Sequence, residues 1–294
     1  MALWVALAGR DAVCALDEDT GSLQKRIQLN DHMDHSILGA RRVLLDAGRQ
    51  RLFVALSLSN EIAVWDLQEE RMLAVIPVGM YPTGLTMVGD RVLVCCSESD
   101  SIWSIDARTL TPLGCVSLPG YPVGPEPFED TALLCGMHSG VLWRLRGDME
   151  IVEERLLPRP AACVCAVPGD CYAAALLPAG RDRGALTILQ RRVHGIPQVV
   201  QTGGLPSVVR PHPTRELVAL TEMDRNEVLL WWWNENRQRR VFVRRLPDDA
   251  LWSADGRRLY VSCLLDQCIC VLDREGELLQ VWDLPGEPRG LALG

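Results

Sequence analysis

The stretch RLFVALSLSNEIAVWDL, Arg51–Leu67, decides the fold, because the chain repeats its pattern 40 residues later as RVLVCCSESDSIWSIDA, Arg91–Ala107. In both segments two apolar runs flank a short polar turn, which is typical of a β-hairpin. The same pattern recurs in five further segments: LWVALAGRDAVCALDEDTG from Leu3, TALLCGMHSGVLWRL from Thr131, CYAAALL from Cys171, ELVALTEMDRNEVLLWWW from Glu216 and RLYVSCLLDQCICVLD from Arg258. A unit of about forty residues present seven times predicts a repeat architecture.

Each unit contains four short strands. In the second unit the apolar runs RLFVALS, IAVWDL, MLAVIPV and LTMVGD are separated by the turns LSNE, QEER and GMYPTG. No segment shows the 3.6-residue period of an amphipathic helix over a useful length. Four strands in about forty residues indicate a propeller blade. We therefore predict an all-β protein, a seven-bladed β-propeller with four-stranded antiparallel blades, in which residues 1–294 form a single domain.

The phase of the repeat predicts how the ring closes. The first unit begins at the second strand of a blade, and the C-terminal segment PGEPRGLALG supplies only an innermost strand. We therefore expect Arg289–Gly294 to pair beside Leu3–Gly9, so that the N- and C-terminal strands share one blade. This arrangement removes the exposed sheet edge that an open array would carry.

The repeat resembles that of the YVTN-type, lactonase-like seven-bladed propellers. That family has a Pro-x-Gly at the start of the inner strand, a PDG turn before a YVA-like strand, and a VID strand end before a TG turn. The corresponding segments of this chain are YPTG at Tyr81, YPVG at Tyr121, EPRG at Glu287, SADGRRLYVS at Ser253, IDARTL at Ile105 and LDEDTG at Leu16. The resemblance spans essentially the whole chain and implies the propeller fold, but it carries little information about activity, because one fold supports many functions.

Composition limits the class of function. The net charge of −8 argues against a nucleic-acid partner or an anionic membrane surface. No segment approaches the roughly 18 apolar residues of a membrane span, and Gly9, Arg10 and Asp11 interrupt the N-terminal apolar run, so we do not expect a signal peptide. Eleven cysteines, an odd number, favour buried free thiols in a reducing compartment. We predict a cytoplasmic location.

One connection is longer than the others and rich in histidine. The segment LNDHMDHSILGARR, from Leu29 to Arg42, carries Asp31, His32, Asp34 and His35. Two imidazoles and two carboxylates can contact a ligand, hold a divalent metal or serve as general base and orienting acid. The alternative is a solvated polar loop. Since no further ligand is tied to this segment by spacing, we predict no metal or other cofactor and regard His32 and His35 only as weak metal candidates.

Charged residues cluster where three consecutive inner strands begin. When the units are aligned at that point, Arg41, Asp248 and Arg289 occupy equivalent positions, and Arg42 and Asp249 follow one residue later. They belong to the second, seventh and first blades, so we expect them in one sector of the channel mouth, together with the histidine-rich loop. Arginines there would bind a polar or anionic small ligand. Alternatively, the Arg and Asp residues pair across adjacent blades.

Aromatic residues provide two further candidates. Tyr81 and Tyr121 precede Pro at equivalent positions of successive blades, so they form either a stacking platform on the channel face or a cover over the neighbouring blade. His138 lies in a turn that is expected on the same face and is a weak additional candidate, whereas we expect His194 and His212 to be structural. The run Trp231–Trp233 fills the core or forms an exposed binding patch, and we favour the core because propeller sheets are packed on both faces.

Two Cys-x-Cys segments occur in predicted strands, at Cys163–Cys165 and Cys268–Cys270. Strand alternation points both thiols of each pair to one side. A structural zinc site needs a second pair of ligands, so we expect these thiols to pack as small apolar groups.

Two functions remain open. The first is a binding or scaffolding module that holds a protein or small-molecule ligand on the face around the central channel. The second is a lactonase-like hydrolase, or a related enzyme, that acts on a small polar or anionic substrate at the channel mouth, with a metal as a possible aid. The candidate ligand-binding residues are His32, Asp34, His35, Arg41, Arg42, Tyr81, Tyr121, Asp248, Asp249 and Arg289, and no catalytic residue can be assigned from the sequence.

Overall fold

Seven four-stranded antiparallel sheets form the protein, as predicted. The structure is a computed structural model, and it describes residues 1–33, 37–191 and 197–294. Consecutive innermost strands contact one another around a ring with a central channel. We number the blades 1 to 7 by the order of their inner strands, taking the blade that contains the N-terminus as blade 1.

Each blade is a sheet whose four strands follow one another from the channel outward. Blade 1 contains β28 (Pro288–Leu293), β1 (Ala2–Leu7), β2 (Ala12–Asp17) and β3 (Leu23–Gln28). Blade 2 contains β4 (Ala40–Asp46), β5 (Arg51–Leu56), β6 (Glu61–Asp66) and β7 (Arg71–Pro77); blade 3 contains β8 (Pro82–Val88), β9 (Arg91–Cys96), β10 (Ser101–Asp106) and β11 (Pro112–Ser117). Blade 4 contains β12 (Pro122–Phe128), β13 (Thr131–Gly136), β14 (Val141–Arg146) and β15 (Ile151–Leu156); blade 5 contains β16 (Ala161–Val167), β17 (Cys171–Leu176), β18 (Ala185–Gln190) and β19 (Gln198–Gln201). Blade 6 contains β20 (Pro206–Pro211), β21 (Leu217–Glu222), β22 (Glu227–Trp232) and β23 (Arg237–Phe242); blade 7 contains β24 (Pro247–Trp252), β25 (Arg258–Cys263), β26 (Cys268–Asp273) and β27 (Leu278–Asp283).

Helical structure in the described part of the chain is limited to three short 3₁₀ turns, at Ala8–Arg10, Asn30–His32 and Ser97–Ser99. Within these described residues, no helix is long and apolar enough to cross a membrane.

The two ends of the chain close the ring in blade 1, which confirms the prediction from the repeat phase. Strand β28 pairs with β1, with Leu3 opposite Leu293 and Val5 opposite Leu291. Two backbone hydrogen bonds join Ala2 and Gly294, at 2.8 and 3.0 Å between nitrogen and oxygen. This pairing completes blade 1 as a four-stranded sheet, in which β1 is paired on both sides instead of forming an exposed edge.

The core lies between neighbouring blades, where the second and third strands are buried on both faces. This explains why β5, β9 and β21 read as continuous apolar runs rather than as alternating patterns. The three tryptophans Trp231–Trp233 are buried, in agreement with the expectation that they fill the core.

A similar polar contact ties blade 2 to blade 3 and blade 3 to blade 4. Asn60 and Asp100 occupy the last position of the turn between second and third strands, with φ of +63° and +46°. The side chain of Asn60 accepts a hydrogen bond from the Tyr81 amide at 2.8 Å, and that of Asp100 accepts one from the Tyr121 amide at 2.8 Å. Asn and Asp tolerate this left-handed backbone and also supply the acceptor. The contact fixes the loop on which each tyrosine is carried.

The Pro-x-Gly segments allow adjacent inner strands to approach closely. A Cβ atom at Gly84 would lie 1.3 Å from the carbonyl oxygen of Gly124, and one at Gly290 would lie 2.7 Å from that of Arg41. Only glycine fits at such backbone contacts. The glycines therefore set the width of the channel.

Candidate functional site

The central channel contains two cavities of about 410 Å³ each. The upper cavity lies at the face where the inner strands begin, and we call this the upper face. The lower cavity lies near the ends of these strands, beside Pro127, Pro211 and Ser253. Arg42 and Glu126 line both cavities, so a charged layer separates them.

This layer, which we call the waist, consists of Arg42, Glu126, Arg210 and Asp249. Asp249 accepts hydrogen bonds from Arg42 Nη1 at 2.6 Å and from Arg210 Nη2 at 2.9 Å. Arg210 also forms an ion pair with Glu126 across the channel. The four side chains come from blades 2, 4, 6 and 7, so the waist links strands on opposite sides of the ring.

The charges of the waist compensate one another. Burial alone would raise the pKa of Asp249, but Arg42, Arg210 and a hydrogen bond from the Leu291 amide lower it below its usual range. Burial likewise opposes the charge of Arg210, yet Glu126 and Asp249 raise its pKa. Buried charges persist when they are paired and hydrogen-bonded. The waist is therefore a satisfied structural network.

The wall of the upper cavity is charged on one side. Arg289 Nη1 donates a hydrogen bond to Asp248 Oδ1 at 2.9 Å. Arg41 forms no ion pair with any carboxylate among the described residues: its Nη1 reaches the Tyr81 hydroxyl only at 3.5 Å, and its Nε is buried without a hydrogen-bond partner there. Burial and the nearby Arg42 and Arg289 guanidiniums lower the pKa of Arg41, although Asp248 opposes this. The charge of Arg41 is therefore only partly compensated.

The opposite wall of the upper cavity is largely apolar. It is formed by side chains of blades 4, 5 and 6: Val123, Met137, Cys163, Leu177, Leu205, Val208 and Met223. Tyr81 and Tyr121 also line the cavity, and the ring of Tyr121 lies 5.0 Å from that of His138. Burial raises the pKa of Tyr121 and that of the Cys163 thiol, the latter to about 12. Both groups are therefore neutral near pH 7.

A β-bulge at the start of the inner strand explains how successive charged residues reach the channel. In blade 2 the register passes from Ala40 opposite Leu56 to Arg42 opposite Ala55, and it skips Arg41. In blade 7 it skips Asp248 in the same way. Side chains of a regular strand alternate between faces, but a bulge redirects them. Arg41 therefore lines the upper cavity, while Arg42 extends to the waist.

The structure brings together some of the residues singled out in the sequence. Arg41, Arg42, Tyr81, Tyr121, Asp248 and Arg289 line the upper cavity, and Asp249 lies in the waist beneath them. His32 is elsewhere: its ring packs edge-on against Trp65 at 4.9 Å, and it lines neither cavity. The histidine-rich loop was expected in the same sector, but its Asp34 and His35 lie outside the described residues, as does His194.

Pairing across adjacent blades, the alternative given for these charges, describes Asp248 with Arg289, whereas Asp249 pairs with Arg42 of blade 2, which is not adjacent to blade 7. It does not describe Arg41. Glu126 and Arg210, which complete the waist, were not predicted from the sequence. They lie two residues beyond the aligned positions of blades 4 and 6. Each is a single charged residue in an inner strand that is otherwise rich in apolar residues and proline. Their opposite charges could have suggested that they pair in the channel.

Comparison with known proteins supports the fold and leaves the family open. No protein-family profile matches the chain, and no curated protein sequence does. A solved structure of a functionally unknown protein from Desulfotomaculum acetoxidans is similar, with a TM-score of 0.79, 11% identity and coverage of 99% of this chain and 98% of the other. Kuenenia stuttgartiensis hydrazine synthase has a TM-score of 0.73 and 15% identity, with coverage of 88% of this chain and 90% of the other. Virginiamycin B lyase from Staphylococcus aureus has a TM-score of 0.72 and 12% identity, with coverage of 87% of this chain and 88% of the other. At these identities the likeness defines a seven-bladed β-propeller and nothing finer.

Proposed function

We propose that the protein is a binding module that holds a small organic anion, with a carboxylate or phosphate at one end and an apolar body, in the upper cavity. Arg41 binds the anionic group, Arg289 supports it, and the apolar wall of blades 4 to 6 accepts the body. Ligand cavities of this size commonly combine an apolar lining with a few polar groups that fix orientation. A cytoplasmic location and a YVTN-type ancestry belong to the same proposal.

The observation that supports this proposal is the imbalance of charge at Arg41. The described residues that line the two cavities include four guanidiniums and three carboxylates. Glu126, Asp248 and Asp249 are all engaged by the other three arginines. A bound monoanion would compensate the remaining guanidinium. Arginine binds planar carboxylates and phosphates through two parallel hydrogen bonds.

The hydrolase alternative receives less support from the described lining of the upper cavity. That lining contains no histidine, and its two carboxylates, Asp248 and Glu126, are both held by arginines. A general base needs a free acceptor within hydrogen-bond reach of the water that it activates. The described lining therefore suits the holding of an anion better than its hydrolysis.

The cysteines favour a reducing compartment. All eleven are free, and nine of them are buried. Disulfides are common in oxidising compartments and rare in the cytosol, so the thiol content supports the proposed cytoplasmic location.

Isothermal titration with benzoate tests the proposed ligand class, and benzamide serves as a neutral probe of the same shape. We expect benzoate to bind and benzamide to bind much more weakly. In Arg41→Met, benzoate affinity should fall by about 10–100-fold, as expected for the loss of hydrogen bonds to a charged group.

Arg257→Met is the matched control, because Arg257 is exposed and lies outside both cavities. It should bind benzoate as the unmodified protein does. Equal affinities for benzoate and benzamide, or an equal loss in both variants, would contradict the proposal.

A further inference from the structure

Three cysteines of blade 7 converge below the hairpin that joins β25 to β26. Cys263 ends β25 and lies opposite Cys268, the first residue of β26. Cys270 lies two residues further along β26, and alternation places its side chain on the same face as that of Cys268. The three sulfur atoms lie within 4.8 Å of one another, and the Cys263 and Cys270 sulfurs are 3.7 Å apart. The Cys-x-Cys pair of β26 thus has a third thiol that the sequence spacing did not reveal.

These distances match those of a three-coordinate metal site. With metal–sulfur bonds of about 2.3 Å, a planar trigonal arrangement places the sulfurs about 4 Å apart. Changes of less than about 1 Å in the sulfur–sulfur distances would bring the three atoms to that spacing. The thiols are buried, but the hairpin residues Leu265 and Gln267 directly above them are exposed, so the cluster lies just beneath the upper face.

The donor set selects the kind of metal ion. Among the described residues, no histidine or carboxylate joins the three thiols in the cluster. Zinc in a closed protein site takes four ligands in a tetrahedron, whereas thiolates alone suit the softer Cu(I) ion.

We propose that Cys263, Cys268 and Cys270 form a trigonal thiolate site for Cu(I). Each thiol releases its proton to solvent as it becomes a ligand, and the metal keeps its oxidation state. The site is separate from the upper cavity and does not depend on the ligand proposed there.

The other Cys-x-Cys pair provides an internal control. Cys163 and Cys165 have the same spacing on an inner strand and are buried, but among the described residues no third ligand completes a cluster around them. If spacing alone produced metal binding, both pairs would bind. If the third thiol is required, only the blade 7 cluster binds.

The test is a competition for Cu(I) between the reduced full-length protein and the chromogenic chelator bicinchoninate. All variants carry Cys115→Ser and Cys171→Ser, because these two thiols are the least buried and would bind metal nonspecifically. The parent should retain one Cu(I) per chain. Cys270→Ser should lose Cu(I) affinity by at least about 100-fold, because loss of a metal ligand should cost more than loss of a residue that only contacts a ligand, which costs up to about 100-fold. Cys165→Ser should bind as the parent does.

A second measurement, the unfolding temperature, distinguishes loss of the metal site from misfolding of a variant. Stoichiometric Cu(I) should raise the unfolding temperature of the parent and of Cys165→Ser, because a ligand that binds only the folded state stabilises it. It should leave Cys268→Ala and Cys270→Ser unchanged. Equal Cu(I) affinity in parent and Cys270→Ser, an equal loss in Cys165→Ser, or tighter retention of Zn(II) than of Cu(I) by the parent would overturn the proposal.

Discussion

The waist and the upper cavity are built from the same kinds of residue, yet they differ in how completely their charges are paired. In the waist, Asp249 is held by two arginines and a backbone amide. In the upper cavity, Arg41 contacts Tyr81, with 3.5 Å to the hydroxyl and 5.4 Å from the guanidinium carbon to the ring centre, and its buried Nε has no partner among the described residues. Compensated charge stabilises a fold, whereas a partly compensated charge beside a cavity is available to a ligand.

The contrast is sharpest between Arg41 and Arg42, which are consecutive in the chain. The bulge at the start of β4 directs the two side chains to different depths of the channel. One belongs to a network that spans the ring, and the other to a cavity that opens on the upper face. The same residue type therefore has a structural role at one position and a proposed binding role at the next.

The largest effect is expected at the waist, in Asp249→Ala. Removal of this carboxylate leaves Arg210 paired with Glu126 and leaves the partly buried Arg42 without an ion-pair partner among the described residues. We expect a loss of about 3–5 kcal/mol in the free energy of unfolding, the cost of breaking a buried ion pair. Urea denaturation measures it.

Asp248→Ala is the comparison, since among the described residues Asp248 forms one ion pair, with the partly exposed Arg289. It should cost less than Asp249→Ala, about 1.5–3 kcal/mol, as for the loss of one hydrogen bond between charged groups. If Asp248→Ala were as destabilising as Asp249→Ala, the distinction between the waist and the upper cavity would be wrong.

A smaller effect is expected from the paired substitutions Arg42→Met and Arg41→Met. Arg42→Met deprives Asp249 of one charged donor and should lower the free energy of unfolding by about 1.5–3 kcal/mol. Arg41→Met removes a charge that its surroundings disfavour, so its effect should lie within about 0.5 kcal/mol, as at a site with no strong partner.

Urea denaturation without ligand measures both variants, and benzoate titration separates them further. Only Arg41→Met should lose affinity for benzoate while keeping the free energy of unfolding of the unmodified protein. Strong destabilisation by Arg41→Met would show that Arg41 has a structural partner and would remove the basis of the proposed site.

Much of the fold could be predicted from the sequence because the propeller is a local repeat. Each unit shows its own strands and turns in about forty residues, and the missing first strand of the first unit directly implies closure by Arg289–Gly294. The resemblance between Arg51–Leu67 and Arg91–Ala107 is therefore sufficient for the architecture. The alignment also placed Arg41, Asp248 and Arg289 at equivalent strand positions, and the structure brings them to one cavity.

The rest of the site depends on features that a repeat alignment does not contain. The bulges that skip Arg41 and Asp248 are set by the contact between adjacent inner strands, and one residue of register decides which way a side chain points. Glu126 and Arg210 meet across the channel although 84 positions separate them. The third thiol at Cys263 is likewise brought to Cys268 by hairpin pairing, which the spacing of the Cys-x-Cys segment alone does not show.

The smallest predicted effect concerns His212, between two prolines of the lower cavity wall, and it extends the comparison to protonation. Its Nδ1 accepts a hydrogen bond from the Thr214 amide and its Nε2 lies 2.9 Å from the Gly256 carbonyl oxygen, an arrangement that fits the neutral ring. Burial lowers the pKa of His212, aided by Arg215 and Arg274 and opposed by the Gly256 contact and Asp255. Because the unfolded chain takes up this proton more readily, the free energy of unfolding should fall as the pH decreases below about 6.5, the ordinary histidine value.

Urea denaturation at pH 7 and pH 5 measures this effect as a difference between the unmodified protein and His212→Gln. The glutamine amide can accept from Thr214 and donate to Gly256 but does not titrate, so the variant should lose less stability between these two pH values. Arg41→Met should show the pH dependence of the unmodified protein, because its guanidinium does not titrate in this range. An identical pH dependence in His212→Gln would show that the His212 proton does not distinguish the folded from the unfolded state.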